Sequence, residues 1–135
     1  MSSPKPGATV RGSISGAPIN ALFDLLGRRW ALGILWYLGD GPSAFRQLQE
    51  RCGGISPSIL NARLKELRAA DIVARTIDGY ALTERGAELR SFIVPLANWS
   101  ADWSKDVYGY ERPGMSERLA NEHSAKRKLA IKVTD

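Results

Sequence analysis

Residues 54–67 read GISPSILNARLKEL, and the reading of this stretch decides the fold. Ser56-Pro57 is a helix start: a serine hydroxyl accepts from the free amides of the first turn, and a proline at the first helical position has no amide to lose. Leu60, Leu64 and Leu67 follow at i, i+4 and i+7, which puts all three on one side of a helix over residues 57–70. Ser58, Asn61, Ala62 and Lys65 face the other way, with Glu66 at the edge. That side is short, polar and, Glu66 apart, free of acid. Asparagine can read adenine bidentately, lysine can reach guanine or phosphate, and alanine can touch a thymine methyl. Ser56 and the helix N-terminus suit a phosphate. An ordinary amphipathic surface helix would show the same stripe, so the neighbouring elements decide.

Upstream, Ser43 can cap a short helix from Ala44 to about Cys52, with Phe45, Leu48 and Cys52 inward. Gly53-Gly54 ends it, and Ile55 can plug the turn. A short helix joined to a capped helix by a tight glycine turn is a helix-turn-helix, whose second helix presents its N-terminal polar side to the major groove. Further upstream, Pro18 opens a helix with Ile19, Leu22, Phe23 and Leu26 on one apolar face, closed by Gly27. A second helix runs from about Arg28 to Leu38, with Trp30, Ile34, Leu35 and Leu38 inward, and stops at Gly39-Asp40-Gly41-Pro42.

Downstream the period changes. The runs 72–77 and 80–82 flank Asp78-Gly79, which predicts a two-residue type I′ hairpin. Thr83 then caps a long helix with Leu89, Phe92, Ile93, Leu96, Trp99 and Trp103 on one face, and Pro95 predicts a kink or break within it. The order of elements is that of a winged helix-turn-helix, mainly α with a small β-hairpin wing.

Three segments carry these features jointly: residues 18–38 (PINALFDLLGRRWALGILWYL), 41–48 (GPSAFRQL) and the 54–67 stretch, followed by 80–86 (YALTERG) and the run from Leu96 to Trp99. In this order they resemble the HxlR-type family of bacterial and archaeal winged-helix regulators, relatives of the MarR and ArsR types. The resemblance covers about Pro18 to Trp103. It implies a homodimeric DNA-binding repressor or activator, cytoplasmic and on the nucleoid when bound, dimerising largely through its first and last helices. Carried over by position, the recognition helix begins at Ser56, and Ser58, Asn61, Ala62 and Lys65 approach bases or phosphates. Arg63, at the border of the buried face, is open between a DNA contact and a packing salt bridge. Arg46 and Gln47 resemble backbone-contacting positions, with plain solvent exposure as the alternative. Arg75 falls in the first wing strand, where the family has a basic residue near the minor groove. Arg28 and Arg29 could meet phosphate, although positive charge opposes the dipole at a helix start.

Two departures from the family pattern stand out. The family commonly has a cysteine just before the proline that opens the first helix, and some members sense oxidants or electrophiles through it. Here that position is Ala17, so the mechanism does not carry over, and Cys52 reads as a buried structural thiol. The wing is also shorter than usual and has an acid at its tip, which shifts affinity towards the helix and the basic ends.

Composition bounds the rest. The 135 residues carry 19 Lys and Arg against 14 Asp and Glu, a net charge of +5. Residues 17–103 hold ten bases and nine acids, so the surplus lies mainly in 1–16 and 104–135. The expected organisation is a disordered arm over 1–16, a DNA-binding and dimerisation domain over 17–103, and a partly helical or disordered extension over 104–135. No apolar run reaches the roughly 18–20 residues of a membrane span, and the N-terminal stretch lacks a signal-peptide core, so neither a membrane partner nor secretion is expected. One cysteine and one histidine, His123, leave little for metal chemistry. No phosphate loop or dinucleotide fingerprint occurs, so no catalytic residue, cofactor or metal is expected. The expected partner is a pseudo-palindromic DNA duplex. Phe92, Trp99 and Trp103, with Trp36 and Tyr37, read as dimer core or as a pocket for a planar apolar effector. The alternative is a winged-helix adaptor that binds protein rather than specific DNA; Lys126-Arg127-Lys128 is too small a basic cluster to argue for a membrane surface.

Overall fold

The structure, a computed structural model, describes residues 3–113, and most of the extension expected over 104–135, with His123 and Lys126–Lys128, lies outside them. In chain order the elements are α1 (Pro18–Gly27), α2 (Ala31–Leu38), α3 (Phe45–Arg51), α4 (Pro57–Ala69), β1 (Val73–Thr76), β2 (Gly79–Leu82) and α5 (Glu84–Tyr108). The chain divides into two units, one up to Ser91 and one from Phe92 onward.

The first unit holds the core. Leu60, Leu64 and Leu67 on α4 are each at most 1% exposed, and Ile34, Leu35 and Leu38 of α2, Leu48 of α3, Ile72 and Val73 are buried as well. Ile55 is buried as the plug of the glycine turn, where Gly53 and Gly54 both take positive φ. Residues 4–16 form turns rather than a regular element. The Gly7 amide donates to the Gly16 carbonyl at 2.8 Å, and the Arg11 amide donates to Asp24 on α1 at 3.2 Å.

On α1 the buried positions are Ala21 and Leu25, while Ile19 and Phe23 are 50% and 64% exposed. Half of the apolar face read on this helix is thus open in the single chain. Helix α2 begins three residues later than its apolar pattern predicts. Arg28 is extended and Trp30 is left-handed at φ 75°, so the chain turns sharply between α1 and α2. A bulky residue held there costs on the order of 1–3 kcal/mol and persists only where its surroundings impose it. At the other end of α2, Arg90 donates to the Trp36 carbonyl at 3.2 Å and Arg51 to that of Tyr37 at 3.3 Å. Each guanidinium lies over the ring of the same residue, at 4.7 and 5.0 Å. Two arginines therefore add a side-chain donor to carbonyls of the last turn that already accept from the amides of Gly39 and Asp40.

Ala44, not Ser43, is the N-cap of α3, and Gln47 reaches back to accept from the Ala44 amide at 3.2 Å. Ser43 is buried and exchanges two 2.8 Å backbone bonds with Tyr80, adding one rung to the wing. The hairpin register also departs from expectation. Thr76 pairs with Gly79, so the two loop residues are Ile77 and Asp78, both at negative φ, and the turn is not the primed type. Gly79, at φ 129°, opens β2 because a Cβ there would lie 2.3 Å from the Ser43 carbonyl oxygen.

Thr83 caps α5 as expected, accepting from the Gly86 amide at 2.9 Å. The helix continues through Pro95 to Tyr108, five residues past the expected end at Trp103, and Gly109 in the left-handed region closes it.

Candidate nucleic-acid interface

Helix α4 is built as its sequence demands. Ser56 Oγ accepts from the Ile59 amide at 3.3 Å, Pro57 occupies the first turn, and the three leucines fix the inner side. The outer side carries Ser58, Asn61, Ala62 and Lys65, all exposed. The side chains of Asn61, Lys65, Arg46 and Arg75 are exposed and form no hydrogen bond or ion pair among the described residues, so their polar ends face solvent uncommitted. Asn61 and Arg75 line one concavity of about 530 Å³ between α4 and the wing, together with Phe45, Thr76 and Tyr80. The structure thus brings the start of α4, the start of α3 and the first wing strand to one side of the molecule. Ile77, fully exposed, forms the wing tip beside Asp78. Of the two backbone-contact candidates on α3, Arg46 is uncommitted, whereas Gln47 is partly spent on the Ala44 cap.

Arg63 behaves differently. Its Nη1 donates to Glu66 Oε1 at 2.8 Å and its Nε donates to the Arg29 carbonyl at 2.9 Å, so in the free chain its guanidinium is engaged in a salt bridge. Glu66 Oε1 also accepts from Arg28 Nη1 at 2.9 Å, and Arg28 Nε lies 3.8 Å from Asp24. The side chains of Asp24 and Arg28 are each 5% exposed and that of Glu66 12%. Arg28 is therefore buried within this cluster, while Arg29 is exposed with its guanidinium 5.4 Å from the Trp30 ring centroid. Sequence reasoning missed this cluster because its partners lie 38 residues apart, with no local pattern to join them.

The thiol of Cys52 is 1% exposed, and burial pushes its pKa up, partly opposed by the Arg51 charge. A thiol held neutral in this way is a poor nucleophile. Among the described residues no group of His, Cys, Asp and Glu could hold a metal ion, and no helix is long and apolar enough to cross a membrane.

Of the aromatic candidates, Trp36 and Tyr37 are half-buried beneath Arg90 and Arg51. In the second unit, Phe92, Trp99 and Trp103 are 69%, 63% and 43% exposed. Trp99 and Trp103 stack with centroids 6.0 Å apart, and Tyr108 meets Trp103 edge-on at 5.2 Å.

Comparison with known proteins places this arrangement. Residues 25–108 match the family described as HxlR-like helix-turn-helix. The transcriptional regulator YodB of Bacillus subtilis is 35% identical over 89 residues, which cover 61% of this chain and 80% of that one. The crystal structure of quinone-bound YodB superposes with a TM-score of 0.57 at 38% identity, covering 61% of this chain and 93% of the other. A candidate HxlR family transcriptional factor from Thermoplasma volcanium superposes with a TM-score of 0.58 at 31% identity, over 65% of this chain and 85% of that one.

Proposed function

Because the chain belongs to the HxlR-like helix-turn-helix family, which comprises DNA-binding transcriptional regulators and not enzymes, we propose that it is a sequence-specific homodimeric repressor that reads DNA with α4. The observation that carries the reading is the outer side of α4, where Ser58, Asn61, Ala62 and Lys65 stand exposed while three leucines on the inner side are buried in the core. Asn61 and Ala62 serve as base readers, Lys65 and Ser56 meet phosphate or guanine, and Arg46 and Arg75 hold the flanking backbone. Gln47 joins Arg46 through its exposed amide. The setting is the cytoplasm and, when bound, the nucleoid.

Two open apolar surfaces support the dimer: Ile19 and Phe23 on α1, and Phe92, Leu96, Trp99, Trp103 and Val107 on α5. Large exposed apolar side chains grouped on helices mark interaction surfaces, and these are the helices through which the resemblance has family members pair. The tryptophans serve chiefly as dimer core. The stacked pair also offers flat rings to a planar apolar effector, and quinone-bound YodB supports a ligand of that class. Ala17 leaves no thiol in front of α1, so an effector at that position would bind without a covalent bond.

The test is a protection footprint of the full chain on the DNA upstream of its own gene. The reading expects two protected half-sites related by a pseudo-dyad, about one helical turn (~10 bp) apart or a multiple of it. Protection of an asymmetric site by a monomer overturns the dimer. An intact dimer that protects nothing overturns DNA binding and leaves the protein-binding adaptor in its place.

A further inference from the structure

Arg63 lies in the sequence between two residues of the reading face, Ala62 and Lys65, yet its guanidinium is turned away from solvent into the Glu66–Arg28 cluster. We propose that Arg63 and Glu66 are positioning residues: they lock the rotation of α4 about its own axis against the α1–α2 junction, and so set which base edges Asn61 and Ala62 meet. This rests on the DNA-binding reading above and assigns it residues that touch no DNA.

The leucine side of α4 cannot supply that lock alone. Apolar contact is non-directional, so Leu60, Leu64 and Leu67 hold the helix on the core without fixing its rotation closely. A rotation of about 20° moves a side-chain tip at the surface of a helix by roughly 2 Å. That is enough to break a hydrogen bond to a base edge, whose length varies by only about 0.5 Å. Hydrogen bonds on the flank of the helix are directional; two tie α4 to the α1–α2 junction, and a third, between Arg63 and Glu66 within α4, joins them. Glu66 Oε1 accepts from Arg28 at 2.9 Å and from Arg63 at 2.8 Å, and Arg63 Nε donates to the Arg29 carbonyl at 2.9 Å.

The reference frame for the lock is itself held firmly. The left-handed Trp30 and the extended Arg28 turn the chain out of helix at this point, which frees the Arg29 carbonyl from any intrahelical bond. Arg28 runs on to Asp24, one turn back on α1. The orientation of the reading helix is thereby tied to α1, the helix whose exposed Ile19 and Phe23 the dimer reading places against the partner. Glu66 Oε2 is buried without a hydrogen-bond partner among the described residues, so the carboxylate depends on the two arginines at Oε1. Withdrawing one arginine from a buried carboxylate leaves charge uncompensated.

The test measures equilibrium binding of the full chain to the footprinted operator and to a scrambled duplex of equal length, across a salt series. The variants are Arg63→Lys, Arg63→Met and Glu66→Gln, each compared as folded dimer well below its Tm. Lysine keeps the cation, and a phosphate contact tolerates it, but it cannot span Glu66 and the Arg29 carbonyl as a planar fork does. The expected result for all three is a loss of operator affinity of about tenfold or more, with scrambled-duplex affinity and the slope of log K against log salt unchanged. A slope that falls by about 0.9 in Arg63→Met, with equal weakening on both duplexes and rescue by lysine, makes Arg63 a phosphate contact and overturns the proposal. Undiminished discrimination in Glu66→Gln overturns it as well, while wild-type discrimination leaves the DNA-binding reading standing. Failure of the wild type to bind any duplex removes both.

Discussion

Asn61 and Lys65 sit one turn apart on the same exposed side of α4, but they do different work. Truncation to alanine separates the two roles. Asn61→Ala costs about 1–3 kcal/mol of operator affinity, confined to one base position. Lys65→Ala, if its ammonium lies on phosphate, weakens every duplex alike and lowers the salt slope by about one. Fluorescence anisotropy on operator and single-base variants separates the two patterns, and identical losses across all duplexes for Asn61→Ala would contradict base reading. At Cys52 the sign is set by burial. The folded thiol holds its proton more tightly than the unfolded one, so its contribution is intact below the ordinary thiol pKa and falls as pH rises above it. A maleimide reagent should label Cys52 only as the chain unfolds; labelling of the native protein at the rate of a free thiol contradicts that placement.

The same scale shows how far the sequence carries. Leu60, Leu64 and Leu67 were legible because their spacing is local and a helix converts it directly into a buried stripe. The spacing of Ile19 and Phe23 was equally clear, yet both are exposed: periodicity says which residues share a face and not which surface covers that face. Arg63 stood between two readings because its partners, Glu66 and the Arg29 carbonyl, depend on a backbone turn at Trp30 that no propensity favours.

Among the elements, the wing and the start of α5 depend on close backbone approaches. A Cβ on Gly86 would stand 2.0 Å from the Ile72 carbonyl oxygen, and one on Gly79 would stand 2.3 Å from that of Ser43. Neither backbone can yield without moving its element. Gly86→Ala is expected to destabilise the fold by about 1–3 kcal/mol or more, and Thr83→Ala, which loses the cap of α5, by about 0.5–2 kcal/mol. Urea unfolding reads both, and an unchanged midpoint in Gly86→Ala contradicts the packing. Gly79 also explains the displaced turn. The Asp-Gly pair is a local hairpin signal, but the glycine is required by Ser43, 36 positions earlier in the chain, and the turn lies at Ile77-Asp78. Pro95 predicts a kink or break, yet the helix carries through it.

For the whole molecule, the open faces of α1 and α5 and the reading face of α4 make one expectation: two copies are needed to read one operator. Phe23→Glu and Trp103→Glu each put a charge into an apolar surface and should yield monomers by light scattering, with the first unit still folded. Burying an unpaired carboxylate in such an interface costs several kcal/mol. The body between residues 17 and 103 is nearly neutral, so attraction to DNA depends on where its few uncommitted cations stand. The most direct test is operator affinity of the intact wild-type dimer as a function of salt, set against a scrambled duplex and against Asn61→Ala. The account predicts affinity that falls steeply with salt and a preference for the operator that Asn61→Ala loses while fold and dimer persist. An intact dimer with no salt-sensitive binding to any duplex, or an operator preference untouched by Asn61→Ala, would contradict it.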